Sequence, residues 1–103
     1  MKALYTMSLT VIKPLKKAWK IGGIEVRDVE FREPTVADLI AAEQDANPSL
    51  SPNAYTVALA CETIVRAGSY TGPFAPAQFN GMSAANFSVI REAMAETSNL
   101  GED

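Results

Sequence analysis

Asp38, Glu43 and Asp45 stand close together in a stretch of helical spacing. Three carboxylates so placed could bind a hard cation or divide the duties of acid and base. A cation of that kind asks for about six to eight oxygen ligands, and too few converge here. Asp38 is also the natural partner of a helix cap at Thr35. The chain has no histidine, which removes the commonest general base and the commonest metal ligand. Its one cysteine, Cys61, falls on the apolar side of a helical pattern, where a small buried hydrophobe is expected rather than a nucleophile. Ser51, Ser69, Ser83 and Ser88 have no histidine to activate them. Gly22-Gly23 lacks the following helix and the Lys-Ser/Thr of a phosphate loop. No catalytic residue, metal ligand, cofactor or small-molecule substrate is expected. The function must lie in binding or assembly.

With 103 residues and 48% apolar content, the chain suits one small domain. Residues 1–8 and 98–103 are expected to be flexible ends. No apolar run approaches the roughly 20 residues that span a bilayer, and the apolar stretch near the start is interrupted by Thr and Ser and ends at Lys13-Pro14. A cytosolic protein without a membrane partner is expected, and a single cysteine agrees. Charge is unevenly spread. Lys2, Lys13, Lys16, Lys17 and Lys20 stand in the first 20 residues with no acid, and the rest of the chain carries four arginines against all 12 acids. The plain reading of the basic start is an edge strand guarded by lysine. Nucleic acid is not the expected partner, because the cluster lacks arginine and interleaved aromatics. An acidic protein partner held by Lys13, Lys16, Lys17 and Lys20 is the remaining use.

The elements that would position these residues follow from spacing. Residues 9–13 read as a strand that stops at Pro14, and 15–20 as a weakly alternating continuation. Ile21-Gly22-Gly23-Ile24 signals a hairpin turn. Ile24, Val26, Val29 and Phe31 alternate with charged residues, with one slip at Arg27-Asp28 that suggests a bulge. Pro34 ends the ladder, and Thr35 caps a helix over about 36–46 with Asp38 as its capping-box partner. Val36, Leu39, Ile40 and the stem of Glu43 are taken as its inward face. Ser51 and Pro52 start a second helix whose Ala54, Val57, Ala58, Cys61, Ile64 and Val65 face the core, ending at Gly68. Residues 69–82 form a long connection with a single turn at 76–79. Ser83 caps a third helix over 84–97, with Phe87, Ile90 and Met94 inward. The fold class is therefore α+β: an N-terminal antiparallel β-hairpin of two or three strands packed against about three α-helices.

Apolar residues off these faces are the candidates for contact with a partner: Trp19 among the lysines, Leu59 on the far side of the second helix, and Tyr70, Phe74 and Phe79 in the long connection. Each could equally pack as satellite core. If several share one surface they make an apolar patch, which suits an amphipathic helix laid in a groove.

The order of these pieces resembles the Mu-like family of phage tail assembly chaperones. The resemblance rests on the Lys-Pro strand of residues 9–14, the Gly turn, the strand ending Arg32-Glu33-Pro34-Thr35, then Asp38-Leu39 and Ala42-Glu43, and the Ser-led helix of residues 83–94. It spans about residues 9–95. Asn86 departs from it, standing where an acid is expected. The resemblance implies a non-enzymatic protein of the bacterial host's cytoplasm. Its client would be the tape measure protein, whose hydrophobic helices it keeps soluble until the tail tube assembles, through weak multivalent contacts and with self-association. It also implies a longer form made by ribosomal frameshifting. A small structural subunit of the tail or connector is the alternative.

Overall fold

The computed structural model describes residues 9–100. Two long strands, β1 (Thr10–Ile21) and β2 (Ile24–Arg32), form the hairpin, turning through Gly22 and Gly23 at φ +54° and +81°. Both angles lie in the left-handed region that glycine enters without cost. Helices α1 (Val36–Asp45) and α2 (Pro52–Thr63) follow, then a short strand β3 (Ile64–Ala67), a 3₁₀ turn (Pro76–Phe79) and α3 (Ala84–Thr97). The antiparallel sheet has the order β1-β2-β3. This is the expected α+β class, with the hairpin, three helices and a third strand.

One sheet face makes the core. Val11, Trp19, Ile21, Val26, Val29 and Phe31 meet Ile64, Phe79, Ile90 and Ala93 there, and α3 lies across β1 and β2. Phe87 and Met94 pack against this cluster half-buried, beside the fully buried Ile90. Leu100 also packs against it. Residues 1–8 and 101–103, expected as parts of flexible ends, lie outside the described residues.

Three local expectations are corrected. First, β1 does not stop at Pro14 but runs through it. As an edge strand it tolerates a missing N–H, and the pairing breaks just after. Residues 15–18 of β1 lie opposite Arg27 alone. The break thus sits at the Arg27-Asp28 slip read from β2, with the extra residues on β1. Second, α2 ends at Thr63, and the next four residues leave the helix as β3. The run Thr63-Ile64-Val65 is β-branched and suits a strand, and β2 offers an edge for it to pair with. The last turn of α2 is closed by Thr63 Oγ1 donating to Leu59 O at 3.0 Å. Gly68, at φ +56°, then donates its N–H to Asp28 O at 2.9 Å. Third, α1 turns its expected apolar face outward, as described below.

Asn86, where an acid was expected, explains the shape of the β1 bulge. Its side chain is 1% exposed. Oδ1 accepts the backbone N–H of both Lys16 and Lys17 at 3.0 Å, and Nδ2 donates to Lys17 O at 2.9 Å. The ladder cannot serve these groups because β2 has only Arg27 to face four residues of β1. An aspartate would keep the acceptor but set its second oxygen against the Lys17 carbonyl. Only an amide supplies both signs.

Asn86→Ala strands two N–H groups and a carbonyl inside the protein and should cost about 3 kcal/mol or more, at about 1–3 kcal/mol per unsatisfied group. Urea unfolding checks this. A loss no larger than that of an exposed substitution would show that water replaces the amide freely.

Candidate functional site

The residues around α1 follow from one junction. Arg32, the last residue of β2, reaches Asp38 with two bonds, Nη1 to Oδ2 at 2.7 Å and Nη2 to Oδ1 at 3.2 Å. Its Nη2 also donates to Glu62 O at 2.6 Å, near the end of α2. Asp38 Oδ2 accepts the N–H of Thr35 at 2.7 Å, while the Asp38 N–H donates to Thr35 Oγ1 at 3.3 Å. This is the expected capping box, with Arg32 added. Asp38 is 8% exposed. The Arg32 hydrogen bond holds its carboxyl down at about 2, with the Thr35 bonds helping against the opposing cost of burial. Its oxygens are committed to the fold, so the cation site weighed for Asp38, Glu43 and Asp45 loses its first ligand.

This junction decides which side of α1 faces the protein. Asp38 and Ala42 are its buried residues. Val36 and Ile40 lie two positions to either side of Asp38, about 200° around the helix, so they point away. Val36 is 70% exposed, Ile40 52% and Leu39 37%. The apolar stripe expected in the core is thus on the surface. Leu50, in the turn after α1, is 80% exposed. Beyond the end of α1 a shallow groove opens between α2 and the 3₁₀ turn, lined by Ala46, Ala54, Val57 and Pro76 and rimmed by Asp45, Asn53 and Asn80.

The aromatic candidates are placed otherwise. Trp19 and Phe79 are buried at 5% each, their ring centroids 5.0 Å apart, and Trp19 Nε1 donates to Gln78 O at 3.2 Å. Tyr70 and Phe74 are half-buried and meet edge-on at 5.1 Å. Tyr70 donates its hydroxyl to Pro73 O, and Gln78 Nε2 donates to the Tyr70 hydroxyl. The connection is therefore packed on its own side chains. Leu59 is half-buried on α2. Trp19 and Phe79 thus pack as core, while Leu59, Tyr70 and Phe74 each keep part of their surface in solvent. Cys61 is half-buried, and burial pushes its thiol up to about 11, far from nucleophilic at neutral pH.

Spacing alone did not find the outward stripe, because it reads as an inward one. A signal was present: once Asp38 is assigned to the capping box, its ion pair with a strand residue and the small Ala41-Ala42 beside it set the protein-facing side.

Residues 12–98 match the family described as phage tail assembly chaperone proteins, E, or 41 or 14. The chain belongs to this family. No curated protein and no solved structure matches it. Among the described residues no helix is long and apolar enough to cross a membrane.

The junction gives a pH dependence. A carboxyl held below its unfolded value adds stability that is complete above the unfolded pKa near 4 and is lost as pH falls through the folded value of about 2. The shift corresponds to about 2 kcal/mol, since one pKa unit is about 1.4 kcal/mol. Chemical unfolding followed from pH 5 to pH 2 should show this loss in the parent, and Asp38→Asn should flatten it. An equal slope in both proteins would mean that other carboxylates carry the acid sensitivity.

Proposed function

We propose that the outward stripe of α1 is the client surface of this tail assembly chaperone, and that its client is an apolar helical segment of the tape measure protein. Exposure of Val36, Leu39 and Ile40 along one helix is the observation that carries the reading. An amphipathic client helix not yet enclosed by the tail tube exposes apolar surface, and covering it gains roughly 25 cal/mol per Å². The stripe is short, so one copy holds a client weakly. Many copies along a long helical client supply the avidity, and tube subunits that bury the client more fully displace them. The same stripe accounts for self-association of the chaperone when client is absent. The role is non-enzymatic and is exercised in the cytoplasm of the bacterial host, before the virion is complete.

The experiment is coexpression with the tape measure protein of the same phage. The parent should raise its soluble fraction several-fold. Val36→Asp combined with Ile40→Asp should abolish that gain while the chaperone stays folded, since exposed substitutions cost within about 0.5 kcal/mol and an acid at position 36 suits the first turn of the helix. A client equally insoluble with and without the parent would overturn the reading. So would a charged double variant that works as well as the parent.

A further inference from the structure

The bulge of β1 presents a second surface, independent of the α1 stripe. Lys16, Lys17 and Lys20 are exposed and take part in no ion pair among the described residues, whereas Lys13 is held by Glu96 at 2.5 Å. The charged neighbours are few. Glu25 stands opposite Lys20 across the hairpin, but its carboxylate is bound by Arg27. Beneath the lysines, Trp19 and Asn86 fix the backbone from the core side. A shallow recess beside them is lined by Lys17, Lys20, Gln78, Met82 and Ser83.

Guarding an edge strand needs charge but no fixed shape, and Pro14 together with the unpaired residues already spoils β1 for pairing with another chain. Yet the protein devotes a buried amide and three hydrogen bonds to holding this unpaired stretch in one conformation. A surface that must fit a partner requires that preorganisation. The chemistry selects the partner's sign. Three unpaired cations stand in a chain whose formal net charge is −3, so the patch is a local exception in an acidic field. Nucleic acid fits poorly, because Trp19 is buried and the one arginine facing the bulge, Arg27, is paired with Glu25.

We infer that the bulge bearing Lys16, Lys17 and Lys20, held in shape by Asn86, is a docking site for an acidic polypeptide segment of a partner protein. The chaperone then has two faces: an apolar one for client and a basic one for a different, acidic partner.

The test uses the full chain and a fluorescein-labelled peptide of about ten glutamates as a charge probe, read by anisotropy. Binding should weaken about tenfold as ionic strength rises from about 0.01 to 0.15 M, because exposed charges are then screened. The Lys16→Glu, Lys17→Glu and Lys20→Glu triple variant should lose binding. Lys17→Glu alone should weaken it, and Arg91→Glu, an equal charge change on α3, should weaken it less. Asn86→Ala should weaken binding several-fold with every lysine present, and if that variant does not fold, the lysine variants decide. Peptide binding unchanged in the triple variant would overturn the proposal, as would a folded Asn86→Ala variant binding like the parent. Tighter binding of an oligothymidylate of equal charge would overturn it in favour of a nucleic-acid surface. The two readings separate cleanly: the triple variant should still solubilise client, and Val36→Asp/Ile40→Asp should still bind the peptide.

Discussion

One guanidinium organises the structure. Arg32 closes β2, pairs with the carboxylate that starts α1 and caps a carbonyl near the end of α2. A lysine could not do this, because the job needs several donors in a rigid plane aimed at two acceptors at once. Arg32 is partly exposed and Asp38 is not. The pair therefore avoids the full cost of a buried ion pair while leaving the carboxylate well shielded. Because Asp38 is also the capping-box residue, the interaction fixes more than position. It fixes the rotation of α1 about its own axis.

That rotation has an energetic consequence. A helix with Val36, Leu39 and Ile40 on one face would ordinarily bury them, at about 1.5–3 kcal/mol for each large side chain. Here the ion pair, the cap and the small contact at Ala42 outweigh that gain. Turning the stripe inward would swing Asp38 into solvent and leave Arg32 without its carboxylate. The exposed stripe is thus not a failure of packing but the result of competing demands on ten residues. It persists because α1 is tied to the body at its N-terminus.

Much of this was readable from the chain. The Gly22-Gly23 turn, the cap at Thr35, the breaker at Pro34 and the bounds of α3 are local chemistry, and each appears as expected. What was not readable depends on long-range partners. Spacing gave the stripe of α1 but not its direction, since periodicity shows that a helix has two faces without showing which one meets the protein. The strand after Thr63 was hidden because Ile64 and Val65 continue the helical spacing, and only an open edge on β2 tells them apart. Trp19, Tyr70, Phe74 and Phe79 could be read as contact surface or as satellite core, because lysines, glycines and prolines surround them. In a small domain such aromatics are the largest apolar side chains to hand, and the core draws on two of them.

Asn86 and Asp38 make the same point from opposite ends of the molecule. Both are buried polar residues in the first turn of a helix, each with its backbone N–H held by the cap residue, and both turn their side chains to a strand. A cap alone can be supplied by any of several residue types. A first-turn residue whose side chain must satisfy a neighbouring strand accepts very few. Asp38 needs charge, because its second partner is a cation. Asn86 needs an amide, because its strand partners are two donors and an acceptor. Each thereby converts a local helix start into a tertiary constraint, and each constraint sets a surface: the stripe on α1, and the lysine-bearing bulge of β1. The two surfaces respond to salt differently, since apolar contact is not screened and exposed charge is. The two proposed partners would therefore bind and leave separately on one small body.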